Sequence, residues 1–325
     1  MRTFLKSQRH FTTYAWLVLG FTILVILWGA FVRATGSGAG CGSHWPLCNG
    51  VVVPREPAVE TQIELFHRVT SALSGVFVLG LLAWSFYAFP KGHIVRKGAV
   101  LSTFFIITEG LVGAGLVLFE LVAHNASVAR VYSMAAHLVN TFLLLGALTL
   151  TAWWAGGGRP FRLRGQGKTG WLLLGGLGFL LLLGVSGAVT ALGDTLFPAG
   201  SLSEGIAQDF EATAHFLVRL RIYHPIIAII TGIYLVIASS IIHEEKKDPQ
   251  THRFSRILRV LFLIQLGAGF VNVILLAPVW MQIIHLLLAD LIWIAAILFG
   301  AAALSAPVPV TESESSPAMV APAGD

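Results

Sequence analysis

Four histidines, His67, His137, His224 and His285, lie inside apolar stretches of a 325-residue chain whose composition is 56% hydrophobic and only 11% Asp, Glu, Lys or Arg. Ionisable side chains are costly in hydrocarbon and usually mark a working position. The four form two series. LFHRVTSALSG around His67 aligns with IYHPIIAIITG around His224 at an offset of 157, and AAHLVN around His137 aligns with IIHLLL around His285 at an offset of 148. Between them, Glu109 and Gly113 align with Gln265 and Gly269 at an offset of 156. Two imidazoles from facing helices suit the two axial positions of a haem iron. A zinc site with this many imidazoles usually gathers them in one cluster, often with Cys or carboxylate. The chain has no C-x-x-C-H motif, so haem would be held without covalent attachment.

Other residues bear on the same chemistry. Ser71, Ser74 and Gly75 follow His67 on its helical face, and Ala228, Thr231 and Gly232 follow His224. Small residues there leave room for a flat macrocycle, or let helices pack closely. Arg68 directly follows His67, and Arg219 and Arg221 precede His224. Guanidinium binds carboxylate in a bidentate fork, which suits haem propionates; snorkelling anchors at helix ends are the alternative. Glu109 and Asp290 are acids within apolar stretches, open to a structural or a transport role.

The elements that must carry these residues are membrane helices. The charged fraction is less than half the roughly 25% of ordinary soluble domains, and stretches of about 20 apolar residues recur near 14–33, 65–89, 98–119, 128–154, 170–191, 216–242, 256–277 and 279–304. The first is too long for a signal-peptide core and is expected to be retained. Fifteen Lys and Arg fall on the side of the amino terminus and six on the other, which places both termini in the cytoplasm and the loop from Arg33 to Glu64 outside. The net charge of +5 thus resides in topology-setting loops and does not imply nucleic acid. Cys41 and Cys48 face an oxidising compartment, where a disulfide is permitted. The expected fold is an all-α integral membrane protein of eight transmembrane helices, arranged as two parallel-repeat four-helix bundles over residues 1–157 and 158–304, followed by a disordered tail over 305–325. An even number of spans per repeat gives both halves one orientation.

The segment VRATGSGAGCGSHWPLCNG, followed by E-L-F-H-R at Glu64 to Arg68, resembles the haem A synthase family. Thr35 to Gly38 match its TGSG turn, Cys41 and Cys48 its C-x6-C pair around Trp45, Pro46 and Leu47, and Glu64 its acid three residues before a His-Arg pair. The likeness spans the whole chain, with one histidine on each even-numbered helix. It implies oxidation of the haem O methyl group to the formyl group of haem A, through hydroxylated intermediates and loss of water, for terminal oxidases. It further implies haem b as iron cofactor on His224 and His285, haem O as substrate at His67 and His137, and Glu64 as the catalytic residue. The implied setting is a prokaryotic cytoplasmic membrane, with a haem O synthase as partner, lipid around the chain, and the electron acceptor and homo-oligomerisation left open.

Two features depart from the family pattern or from the repeat. No cysteine lies between Leu192 and His215, where some members carry a second pair, and Pro225 stands at the counterpart of Arg68. Glu64, set against Leu220, has no acidic equivalent in the second half. That asymmetry separates the enzyme from its main rival, a two-haem b-type cytochrome passing electrons to or from quinone, which has no use for an acid and a cysteine pair on one half only.

Overall fold

In hydrocarbon every backbone N–H and C=O must find its partner inside the segment, so an apolar run of membrane length folds as a helix. The computed structural model, which describes residues 7–162 and 164–305, contains α1 (Gln8–Ala34), α2 (Val59–Ala88), α3 (Ile94–Leu118), α4 (Val128–Ala155), α5 (Gly167–Leu196), α6 (Leu202–Phe210), α7 (Phe216–Arg219), α8 (Tyr223–Glu245), α9 (Pro249–Ile274) and α10 (Val279–Ser305). Eight spans are long and apolar enough to cross a membrane, α7 and α8 together making the sixth. Among the described residues there is no β-sheet, only an isolated bridge between Cys48 and Val51. The tail beyond Ser305, on which the expectation of disorder falls, and the basic residues Arg2 and Lys6 lie outside the described residues.

Most helices run several residues past the apolar limits read from the sequence, because polar residues outside the hydrocarbon still complete helical turns. Some of their starts are capped by side chains. Ser127 accepts a hydrogen bond from Arg130 N at the start of α4, and Asp248 accepts from Thr251 N at the start of α9 with Pro249 following it, a preferred opening in each case. The sixth span is interrupted at Leu220–Ile222, which hydrophobicity alone does not reveal. Pro225 has no N–H to return to Arg221, so it is accommodated as the third residue of a new helix rather than inside a continuous one.

In the first half α1 packs on α2 and α4, α2 on α3, and α3 on α4. In the second, α5 packs on α8 and α10, α8 on α9, and α9 on α10. The halves meet through α4 and α10, with α1 and α5 flanking them. At that seam Trp293 stacks on Phe142 with ring centres 4.9 Å apart, and its indole N–H donates to the Phe142 carbonyl at 2.6 Å, giving the buried indole a partner as it requires. Side chains such as Leu79, Phe104, Leu111, Ile229 and Leu263 remain exposed on the outer faces, as contact with lipid demands.

Candidate functional site

His67 lies eight residues into α2, His137 nine into α4, His285 six into α10, and His224 eight past the start of α7. At about 1.5 Å per residue, all four rings are at comparable depth. The His224 and His285 ring centres are 6.3 Å apart with planes at 76°, room for one metal ion bound through a nitrogen of each ring at about 2 Å. His67 on α2 and His137 on α4 are the equivalent pair of the first half, at offsets of 157 and 148.

Each imidazole rests on a glycine of a neighbouring helix. A methyl group added at Gly29 would lie 2.8 Å from His67 Cε1, at Gly187 3.0 Å from His224, at Gly269 3.1 Å from His285, and at Gly113 3.9 Å from His137. These glycines repeat as the histidines do, at offsets of 158 for Gly29 and Gly187 and 156 for Gly113 and Gly269. The ring Nδ1 of His224 contacts Ser186 Oγ at 3.0 Å, Nδ1 of His67 and His285 are buried without a hydrogen bond, and Nδ1 of His137 makes no hydrogen bond of normal geometry but has the Glu109 carboxylate 3.4 Å away. Orphaned polar atoms in a protein interior call for an explanation, and among the described residues no hydrogen bond engages any of the four Nε2 atoms. Among the described residues no group of three or more His, Cys, Asp or Glu is placed to hold a metal ion. The donors come as imidazole pairs, a set that fits a haem iron with two axial ligands.

Toward the amino-terminal end of α2 from His67 lies a polar cap. Cys41 and Cys48 form a disulfide, and the loop they close sits on the first turns of α2. Gly40 is essential to that approach, since a Cβ there would fall 2.5 Å from the Glu60 backbone. Glu64, 3% exposed, accepts a hydrogen bond from Cys41 N at 2.8 Å on one oxygen and pairs with Arg68 at 2.6 Å on the other. Arg68 also donates to the carbonyls of His44 at 2.6 Å and Leu47 at 2.8 Å. The guanidinium expected to meet a propionate is therefore already committed to Glu64 and the loop.

The second half carries a different cap. At the 157-residue offset set by the histidines, the counterpart of Glu64 is Arg221, not Leu220, so the charge is reversed rather than lost. Arg221 is buried and pairs with Asp209 at 2.9 Å and Asp194 at 3.1 Å, with Gln208 completing the set at 3.2 Å. These contacts pin α6 and the end of α5 to the break between α7 and α8, in a region without cysteines. Arg219 is exposed and its side chain makes no hydrogen bond or ion pair among the described residues. The small residues after the histidines serve packing in part: Ser74 meets Thr22 at 3.1 Å, and a Cβ at Gly232 would strike Phe262 at 2.7 Å. Clearance at the rings comes instead from the four facing glycines.

Residues 12–297 match the sequence pattern of a family described as cytochrome oxidase assembly protein. The chain belongs to this family. It is 55% identical over 291 residues, 90% of its length, to a Thermus thermophilus protein named protoheme IX farnesyltransferase, of which the match covers 48%. It is also 40% identical over 126 residues to a protein of Halalkalibacterium halodurans named heme A synthase, covering 39% of the chain and 42% of that relative. A heme A synthase of an Exiguobacterium species is 37% identical over a stretch of the same length, covering 38% of the chain and 42% of the relative. The chain thus spans about half the length of the curated relatives it matches.

Within this cytochrome oxidase assembly family member, several site residues escape sequence reading. Arg33 donates to the Ala191 carbonyl at 2.7 Å, Thr195 Oγ1 at 2.8 Å and Gln282 Oε1 at 2.8 Å, tying α1 to α5 and α10 just outward of the histidines. In sequence it is indistinguishable from a helix-end anchor. Gly29 and Gly187 were findable, because they repeat at nearly the histidine offset. Asp290 is fully buried and both its oxygens lack a hydrogen-bond partner.

Proposed function

We propose that this chain is a haem A synthase, oxidising the methyl group of haem O to the formyl group of haem A. Overall, methyl plus one water gives formyl with release of four protons and four electrons, by two successive hydroxylations and loss of water. The observation that carries the reading is the buried Glu64, one helical turn outward of His67, held by Arg68 and the cystine loop in one half while Arg221 occupies the equivalent place in the other. His67 and His137 would hold the substrate, and the Glu64 carboxylate at the rim can accept a proton or stabilise positive charge developing on the oxidised carbon. His224 and His285 would hold the resident haem b, which supplies one-electron transfer when bound.

The remaining parts of the reading follow from this assignment. Residues 1–157 form the substrate half and 158–304 the cofactor half, related as a parallel repeat, with both termini in the cytoplasm of a prokaryote and the chain crossing its inner membrane. A relative named for farnesyl transfer to protohaem supports a partner that makes haem O. Prenyl transfer by this chain itself finds less support, because a diphosphate leaving group is usually handled by metal ions on clustered carboxylates, and among the described residues no such cluster occurs.

The deciding experiment is chromatography of haems extracted from cells that make haem O, with and without this chain. Haem A is expected only with it; haem O unchanged in both would overturn the reading.

A further inference from the structure

The two halves differ at a second pair of equivalent positions, inside the membrane and away from the outer cap. Glu109 on α3 approaches His137 Nδ1 at 3.4 Å, one turn from Gly113, which supports the same ring. Its carboxylate is held by two donors, one on each oxygen. Asn140 Nδ2 donates to Oε2 at 2.6 Å, Thr141 Oγ1 donates to Oε1, and Asn140 is itself held by Thr108 Oγ1 at 2.7 Å and by its own bond to the Phe105 carbonyl at 2.9 Å. The equivalent Gln265 on α9 turns instead to the backbone, donating to the His285 carbonyl at 3.0 Å, and leaves both its own Oε1 and His285 Nδ1 without partners. At the 148-residue offset, Asn140 and Thr141 correspond to Leu288 and Ala289. The whole polar cradle is therefore confined to the first half.

We propose that Glu109 is the positioning residue of the His67/His137 site, holding Nδ1–H of His137 so that Nε2 is presented to iron, and placing a fixed negative charge behind that ligand in the substrate half alone. A carboxylate on the far nitrogen fixes the tautomer and ring orientation of a ligating histidine and raises its basicity. Contacts of this kind are often long without the ligand and tighten when it binds. The added charge stabilises the ferric over the ferrous state of a haem bound there, so the two sites differ in potential although each offers two imidazoles. This rests on the reading that His67 and His137 bind haem.

The test uses the full-length protein in detergent, loaded with ferric haem b and titrated electrochemically with optical and electron paramagnetic resonance detection. His137→Ala identifies which step belongs to the first half; if no step is lost, the haem reading of that site fails, independently of Glu109. In Glu109→Gln, haem should remain at both sites and the second-half step should stay in place. The first-half step should move to favour the ferrous form by about tenfold, about 59 mV for one electron, with altered ferric g-values. An unchanged first-half potential and spectrum in that folded variant overturns the proposal. Should the variant fail to fold, Gln265→Glu is the reciprocal test: its second-half potential should fall, and an unchanged value would equally overturn the proposal.

Discussion

The backbone N–H of Cys41 donates to Glu64 Oε2 at 2.8 Å. Because the other oxygen of Glu64 is held by Arg68, and Arg68 also binds the carbonyls of His44 and Leu47, the cystine loop and the outer turns of α2 share one hydrogen-bonded unit. Charge-assisted bonds of this kind are stronger than neutral ones, and a carboxylate 3% exposed is poorly screened by water. Glu64 thereby has both a structural attachment and a position outward of His67, and the two can be separated by experiment.

Removing the disulfide should loosen the loop without unfolding the bundle. Closing so short a loop contributes up to about 2–3 kcal/mol of local order, and the spans do not depend on it. Cys41→Ser with Cys48→Ser is expected to make the segment between Gly40 and Val53 sensitive to protease added to the protein in detergent, with the haem proposed for His224 and His285 retained. In the native protein, alkylation before reduction should label neither cysteine; quantitative labelling of both by mass spectrometry would contradict the structure.

The glycines facing the histidines give a steric prediction. A methyl group at Gly187 would lie 3.0 Å from the His224 ring, and one at Gly29 2.8 Å from that of His67, so either ring must tilt. Gly187→Ala should lower haem retained on purification several-fold, while Gly29→Ala should spare that haem and reduce haem A formation. Gly20→Ala, where nothing lies within 4 Å of the added carbon, should do neither. Equal haem retention in Gly187→Ala and Gly20→Ala would mean that the glycine contact does not govern the site.

The haem proposed for the second pair is expected to depend on both of its histidines. The purified protein should carry a low-spin b-type haem, and His224→Ala or His285→Ala should each remove most of it, because one axial ligand is lost and no thiolate lies at that depth to replace it. The pyridine haemochrome assay measures this directly. Full retention in both variants would place the permanent haem elsewhere.

Arg221 should be a stability residue. Its loss leaves Asp194 and Asp209 facing each other at sites that are 23% and 22% exposed, so partial hydration softens the penalty of breaking a buried pair to about 1–3 kcal/mol. Arg221→Gln should lower the melting temperature measured in detergent by several degrees and expose the segment from Phe197 to Ala214 to protease. An unchanged melting curve would show that α6 is held by other contacts.

The eight spans were legible because a membrane imposes length and apolarity on every crossing segment, and the histidines because an imidazole in such a segment stands out. The break before α8 was hidden, since Leu220, Ile222 and Tyr223 are as apolar as a continuous helix would be and only Pro225 hints at it. The partners of Arg68 and Arg221 were also hidden. A charged residue at a helix end reads the same whether it meets a propionate, a lipid headgroup or a loop carboxylate. Gly29 and Gly187 belong to a third kind, in which the role comes from a neighbouring helix and becomes visible only when the two halves are laid over each other, whereas Arg33 has no repeat counterpart and stays hidden. The charge reversal between Glu64 and Arg221 required the register to be counted to the residue.

Glu64 remains the residue on which the proposed chemistry turns. It is one helical turn outward of His67, and residues three apart share nearly the same face, so its carboxylate can reach the rim of a haem bound there. Arg68 donates twice to Oε1 and Cys41 N–H once to Oε2, and since a carboxylate oxygen can accept more than one bond, Oε2 retains capacity for a proton or a developing cation. Glu64→Gln preserves the shape but replaces one acceptor with an NH2 group, which must face either Arg68 or the Cys41 N–H, donor against donor. Some loosening of the cystine loop is therefore expected, about the size expected on removing the disulfide. If loop anchoring were the only role of Glu64, haem A formation in Glu64→Gln would match that in the double cysteine variant. If the carboxylate takes part in the oxidation, Glu64→Gln should fall at least tenfold below that variant, about 1.4 kcal/mol of barrier, with haem O or a hydroxylated intermediate accumulating and the haem at His224 and His285 intact. Chromatography of haems extracted from the two strains, grown alike and normalised to the amount of protein in the membrane, separates these outcomes. Equal haem A in both would remove Glu64 from the chemistry and leave it as the anchor of the loop.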